Sequence, residues 1–407
     1  MGVIILSSVP LIPALLVALA AAACLGLLIL LAGLQRVFAV APRLQPLPAQ
    51  QALPADTLTV VIPAYNEAAN IQACLSHVLA SDPPCGSWRV VVVDDASTDA
   101  TAALAMATAA ASGCPPDRFQ LLHAGARPVD QRWVGKNWAC TRAAEQIHTD
   151  WLLFIDADVR LRPDALRRAL AQACQEQADL FSLAPRLACS CLAEWMVQPI
   201  MASLLGLGFP IQAANDPASP VAFAAGPFML FRRVAYEQIG GHRALAAEVV
   251  EDLALARRIK SQGHRLRYLL GLDVLELSMY ADLAALWEGW SKNWFLGLDS
   301  SVAKALGAAA VVVLMFSGPW LLLGSGLVLL RLMPLQQSWW LALLALAALG
   351  VGLQLLLRLW SRSQFQVPIR FWWLMGAGGL LVGAIGPTSV WRTLTGRGWT
   401  WKGRPLA

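Results

Sequence analysis

The chain has 407 residues, 57% hydrophobic and 14% charged, with a mean hydropathy of +0.55 and a formal net charge of +5. That is too apolar for an ordinary soluble enzyme and too charged in its middle for a channel, so a soluble domain joined to membrane segments is expected. The positive balance fits contact with anionic headgroups, and because no basic-aromatic RNA-binding motif accompanies it, nucleic acid is not an expected partner.

Residues Leu11 to Leu34 form an uncharged apolar run of 24, long enough to cross about 30 Å of hydrocarbon as a helix. No Lys or Arg precedes the run and it exceeds a signal-peptide core, so residues 1–36 are read as a retained anchor. Arg36 and Arg43 place its far side in the cytoplasm. A linker over 37–56 follows.

The next segment alternates short β-branched runs with helical stretches. Thr57 to Ile62 reads as a strand ending in Pro63-Ala64-Tyr65-Asn66-Glu67, with a helix over Ala68 to Ala80. Arg89 to Val93 is a valine run of the kind buried on both faces of a parallel sheet. It ends in Asp94-Asp95-Ala96-Ser97-Thr98-Asp99, where Ser97 or Thr98 is placed to cap the alanine-rich helix that follows. A third strand near Phe119 to Leu122 precedes Gly135-Lys136-Asn137-Trp138-Ala139, and a fourth, Trp151 to Ile155, ends in Asp156-Ala157-Asp158. Alternating strands and helices imply right-handed crossovers and an α/β, Rossmann-like, mostly parallel sheet. Its C-terminal strand edges form the ligand crevice, so the three acidic loops should meet there. No GxGxxG follows the first strand, which argues against a dinucleotide site. The acidic edge suggests instead a ligand whose phosphates bind through a metal.

Further along, Cys191 to Gly208 is apolar but short, and reads equally as an interfacial segment or packed core. Ala222 to Leu230, with Gly226-Pro227, reads as a strand and turn, and Glu248 to Ala256 supplies acids at the start of an amphipathic helix. Three more apolar blocks, Leu306 to Leu330, Ser338 to Leu357 and Phe371 to Trp391, form a C-terminal membrane region over 301–407 with a basic tail. Four simple crossings would put Arg392, Arg397, Lys402 and Arg404 outside, against the positive-inside bias. One block therefore should not cross simply, and Gly318-Pro319 marks the first as the candidate. The eight cysteines show no paired CxxC spacing and no neighbouring His, as expected of reduced cytosolic thiols.

Val60 to Glu67, Val93 to Asp99, Asp156-Ala157-Asp158 and Glu251-Asp252, in this order, resemble the family 2 glycosyltransferases of GT-A fold, over residues 57–300. The flanking spans and the ending Trp401-Lys402-Gly403-Arg404 are similar to its membrane branch, including hopanoid-associated and carotenoid glycosyltransferases. The resemblance implies that Pro63, Tyr65 and Glu67 surround the nucleoside and that Asp95 accepts a hydrogen bond from uracil. It puts Lys136 and Lys292 near the nucleotide, Asp158 on Mg2+ or Mn2+, and Asp156 on ribose or the metal's water shell. Asp252 becomes the base, supported by Glu251. The Gln-x-x-Arg-Trp element of processive members is replaced here by Trp290-Ser291-Lys292-Asn293-Trp294.

These features imply an inverting, non-processive enzyme of the inner membrane with a cytoplasmic catalytic domain, moving a hexose from a UDP-sugar to a lipid hydroxyl. A polyprenyl-phosphate glycosyltransferase, a polysaccharide synthase and a nucleotide-binding membrane assembly component are the alternatives.

Overall fold

A computed structural model describes residues 11–48, 53–402, 404 and 405, so the first ten residues, part of the linker and Gly403 lie outside the described residues. The chain divides into two units, one of Val37–Ser190, Gly208–Asn293 and the residues from Thr395 on, the other of the residues up to Arg36, Cys191–Leu207 and Trp294–Leu394. The basic tail thus groups with the α/β unit, whereas Cys191–Leu207 groups with the apolar helices.

The α/β unit is built on seven strands: β1 (Thr57–Ala64), β2 (Ser87–Asp94), β3 (Phe119–His123), β4 (Trp151–Ile155), β5 (Leu180–Ala184), β6 (Phe228–Arg232) and β7 (Leu266–Leu270). Their order is β3-β2-β1-β4-β6-β5-β7, and every neighbouring pair is parallel except those made by β6, which runs antiparallel to both β4 and β5. The expected strand around Ala222 begins only at Phe228, because the Gly226-Pro227 turn precedes it.

Period-two alternation sends Leu58, Val60 and Ile62 of β1 to one face and Val61 to the other. The first face packs against α2 (Ile71–Leu79), α3 (Thr101–Ala111) and α5 (Ala165–Gln175). The second packs against α4 (Gly135–Ala144) and the helix Glu251–Ser261. Both faces being covered explains the unbroken apolar runs of β2 and β4. Cys24, Cys74, Cys85 and Cys140 are buried, and Cys114 and Cys174 are half-buried thiols.

The other unit contains α1 (Leu11–Ala39, through Arg36), α6 (Leu192–Gly208, through Leu207) and a long apolar helix, Val302–Leu332. That helix runs through Gly318-Pro319 with only a π turn at Val313–Ser317. Pro319 removes a backbone donor, and the carboxamide of Gln354 compensates, donating to Met315 O at 3.0 Å and Phe316 O at 2.8 Å.

Gln354 lies on the helix Gln337–Phe365, which runs antiparallel along the long helix, with Leu344 at Gly326, Gly350 at Pro319 and Gln354 at Phe316. The last helix, Met375–Leu394, packs differently. Its glycines 376, 379, 383 and 386 meet Trp320, Ser317, Val313 and Ala309 in turn, so it starts level with Trp320 and ends beside the start of the long helix. Gly318-Pro319 therefore does not break the Leu306 to Leu330 block as expected, and the last block, over Trp372–Leu394, is also long and apolar enough to cross a membrane.

Candidate functional site

The loops after β1 and β2 are interlocked by side chains. Asn66 N donates to Ser97 Oγ at 3.0 Å, Thr98 N donates to Asn66 Oδ1 at 2.8 Å, and Glu67 N donates to Thr101 Oγ1 at 2.8 Å. Ser97 and Thr98 are consequently not helix caps. The first turn of α3 is met instead by Asp99, whose Oδ1 accepts from Thr101 N at 2.9 Å. Asn66 and Ala96 both take positive φ, 50° and 59°, conformations unfavourable for alanine and held here by this network.

Two clusters form along the strand edge. In the first, Asp95 is buried and its Oδ2 accepts from Arg127 at 2.6 Å and Arg404 at 2.8 Å. Burial raises the Asp95 carboxyl above its ordinary range, with the two guanidiniums opposing. Tyr65 lies beneath the Arg404 guanidinium at 4.7 Å, and Glu67 pairs with Lys402 at 2.6 Å. Pro63 is in β1 beside Val93 of β2.

The second cluster centres on Lys136, whose Nζ bridges Asp156 at 2.6 Å and Glu251 at 2.7 Å. Burial would lower the lysine, but the two carboxylates hold it well above its ordinary value. Burial likewise acts to raise Glu251, and Lys136 overcomes it and pulls the acid down. Asp252, one residue on, is pushed up to about 6 by burial and by the neighbouring Glu251 charge. Its Oδ2 accepts from Gly226 N at 3.1 Å and its Oδ1 from Leu253 N at 2.7 Å. A Cβ at Gly226 would sit 2.9 Å from that Oδ2, so only glycine allows this approach. Lys292 belongs to the same electrostatic group. Burial lowers it, and Glu251 and Asp252 partly restore it.

Asp158 is different from its neighbours. Burial and the charges of Asp156 and Glu67 drive its carboxyl well upward, and its buried Oδ1 has no hydrogen-bond partner among the described residues. No group of three or more His, Cys, Asp or Glu side chains placed to hold a metal occurs among the described residues. An orphaned carboxylate oxygen beside a second carboxylate still fits a hard cation that takes its remaining oxygen ligands from water and a bound diphosphate.

The segment Gly135-Lys136-Asn137 joins the two clusters. A Cβ on Gly135 would fall 2.6 Å from Asp95 Oδ2, and buried Asn137 donates to Leu245 O at 2.6 Å and Glu248 O at 2.9 Å, fixing the loop before Glu251. His242 is a structural residue: its Nδ1 lies 2.7 Å from the Tyr236 hydroxyl, and burial lowers its pKa to about 3. Sequence reasoning missed Arg127 and gave no role to Gly135, Asn137 or the tail cations. The Gly-Lys-Asn triplet was the available signal.

The profile described as "Glycosyl transferase family 2" matches residues 59–240, and that described as "Glycosyl transferase family group 2" matches residues 151–385. A Staphylococcus aureus protein named 4,4'-diaponeurosporenoate glycosyltransferase is 28% identical over 271 residues, covering 66% of this chain and 68% of its own. A mannosyltransferase from Pyrobaculum calidifontis, solved with GDP-Man and Mn2+, superposes with a TM-score of 0.50 at 20% identity, covering 91% of this chain and 97% of its own. That likeness shows the GT-A fold.

Replacing Lys136 with Met leaves Asp156 and Glu251 without the ammonium that bridges them. The folded-state pKa of Lys136 is raised, so its stabilisation is present at neutral pH and lost only as pH climbs through that raised value. That of Glu251 is lowered, so its stabilisation is lost as pH falls below the ordinary carboxylate range. Lys136→Met should therefore lower the thermal midpoint in detergent at pH 7 to 8, by the equivalent of about 2 kcal/mol, and by less at about pH 3. Equal losses at both pH values would contradict the bridge.

Proposed function

The chain belongs to the family 2 glycosyltransferases, and from that premise we propose an inverting, non-processive enzyme that moves a hexose from a UDP-sugar to a hydroxyl of a membrane lipid, such as a carotenoid, hopanoid or glycerolipid. The observation that carries this reading is Asp252, a carboxylate held by Gly226 N–H and titrating near 6, beside the Lys136 bridge. In the reaction Asp252 takes the acceptor hydroxyl proton, the acceptor oxygen bonds to the anomeric carbon, and the bond from that carbon to the phosphate oxygen breaks to release the nucleoside diphosphate. Glu251, kept ionised by Lys136, supports the base by its charge.

Pro63, Tyr65, Glu67 and Asp95 bind the nucleoside. Lys136, Asp156 and Lys292 lie toward the diphosphate and sugar. Asp158, with Asp156, would hold Mg2+ or Mn2+, which supplies positive charge for the leaving diphosphate. The substitution of Trp290-Ser291-Lys292-Asn293-Trp294 for Gln-x-x-Arg-Trp supports single transfer.

Membranes given radiolabelled UDP-glucose and extracted lipid should yield a labelled lipid, and Asp158→Ala and Asp252→Asn should each cut the rate roughly 100-fold or more. Because Asp252 acts only when ionised, wild-type kcat should fall as pH drops through about 6. Full activity in both variants would show the site to be elsewhere. A second reading comes from the Staphylococcus aureus relative, whose named carotenoid is a carboxylate. A carboxylate acceptor needs no base, so that reading predicts activity in Asp252→Asn, no acid limb near pH 6, and loss only in Asp158→Ala.

For the membrane, we propose that α1, Val302–Leu332 and the helix containing Gln354 cross completely, while the segment through Met375–Leu394 enters and returns on one side. The support is the packing of the last helix only up to Trp320. This arrangement gathers Arg36, Lys304, Arg362 and Arg392 at one end, with Arg331 at the other, in accord with the positive-inside bias. A C-terminal fusion to a reporter that fluoresces only in the cytoplasm should be bright, and a fusion to a periplasm-dependent phosphatase inactive. The reverse pattern would mean a fourth crossing.

A further inference from the structure

The end of the chain folds into a hairpin, with Thr400–Trp401 antiparallel to Arg404–Pro405. Its two cations land on the two loops read above as the nucleoside site. Lys402 Nζ lies 2.6 Å from Glu67 Oε1 and donates to Asn66 O at 2.9 Å. Arg404 Nη1 donates to Asp95 Oδ2 at 2.8 Å and Asp95 O at 2.9 Å, and its guanidinium lies over the Tyr65 ring. Thr400 anchors the hairpin through a hydroxyl hydrogen bond to Glu288. Lys402 and Arg404 lie more than 300 positions from Asn66 and Asp95 in sequence, so the contact is a tertiary feature rather than a local turn.

The pairing is also specific in the atoms it uses. Both Arg127 and Arg404 bond the same Asp95 oxygen, Oδ2, and the other, Oδ1, takes no hydrogen bond among the described residues. Burial by itself would favour the protonated acid, and the two guanidiniums oppose that. An ionised Asp95 is one that can accept from an N–H of a base. Arg404 at the same time fixes the Tyr65 ring by stacking, and Lys402 neutralises Glu67, so three residues of the nucleoside site are set by one hairpin.

We propose that the C-terminal hairpin, residues 400–405, is a wall of the donor site, with Arg404 and Lys402 as positioning residues for the nucleoside diphosphate. The proposal rests on the reading of Tyr65, Glu67 and Asp95 as the nucleoside site. It assigns the tail to substrate recognition, beyond the chain's membrane contacts. Charge favours this over a tail that plugs the crevice: the donor is an anion, and the hairpin brings two cations to a site already holding Arg127.

Equilibrium binding of UDP and GDP to the full-length protein in detergent requires no acceptor and tests this directly, alongside donor and acceptor KM values from the lipid assay. Arg404→Ala and Lys402→Ala should each weaken nucleotide binding and raise donor KM roughly 10-fold or more. Acceptor KM should stay unchanged, and thermal midpoints should remain within a few degrees. Arg404→Lys should restore only part of the loss, since a lysine has no planar group to lie over Tyr65 while it bonds Asp95.

Asp95→Asn separates the two claims. If it weakens nucleotide binding while Arg404→Ala does not, the hairpin proposal falls and the nucleoside site stands. If neither nucleotide binds the wild type, or if Asp95→Asn leaves binding intact, both fall. Tighter binding in Arg404→Ala would also overturn the proposal, since it would mark the tail as a plug that the donor must displace.

Discussion

An excess of carboxylates at one sheet edge is the constraint from which the rest of this α/β unit follows. Glu67, Asp95, Asp156 and Asp158 are supplied by the loops after β1, β2 and β4, which parallel pairing brings to the same edge, and Glu251 and Asp252 by the first turn of the helix Glu251–Ser261. Like charges gathered in a partly buried crevice repel, and each must be paired, protonated or ligated. Lys136 settles the largest share by bridging Asp156 and Glu251 with a single ammonium. What it leaves over is informative. Asp252 is shifted up into the range of a working base, and Asp158 keeps an oxygen with no hydrogen bond.

The same accounting explains why short sequence motifs here are dense with unlike residues. In Gly135-Lys136-Asn137 each position answers a different neighbour: the glycine lets Asp95 approach, the lysine bridges two acids, and the asparagine ties down the loop that delivers Glu251. Gly226 does for Asp252 what Gly135 does for Asp95. In both places a missing Cβ leaves room for a carboxylate, which backbone N–H groups then hold at Asp252 and guanidinium side chains at Asp95.

Much of this was legible in the sequence because it depends on local pattern. The valine run of β2 and the apolar run Trp151 to Ile155 lie within two residues of the observed strand ends, since burial on both faces leaves a continuous signal. The acidic loops were legible as strand endings for the same reason. What was not legible depended on partners distant in the chain. Ser97 and Thr98 carry the composition of helix caps, but Asn66, some thirty positions earlier, claims them both. The direction of β6 is set by its neighbours and leaves no periodic trace. Arg127 sits in a loop without pattern, and the tail cations read as a basic ending similar to that of the membrane branch, with nothing to point to Glu67 and Asp95 as their partners. Among the apolar helices, Gly318-Pro319 drew the expectation of a break, and buried Gln354 is what makes that position continuous.

The central claim is that this edge is a donor site at which Asp158 would hold a divalent cation. An anomalous-difference map of the protein crystallised with UDP and Mn2+ tests it most directly. The account predicts a manganese peak bonded to Asp158, with the nucleotide lying along the loops after β1 and β2 between Tyr65 and Asp95. A manganese peak elsewhere, with Asp158 left without a ligand, would contradict it.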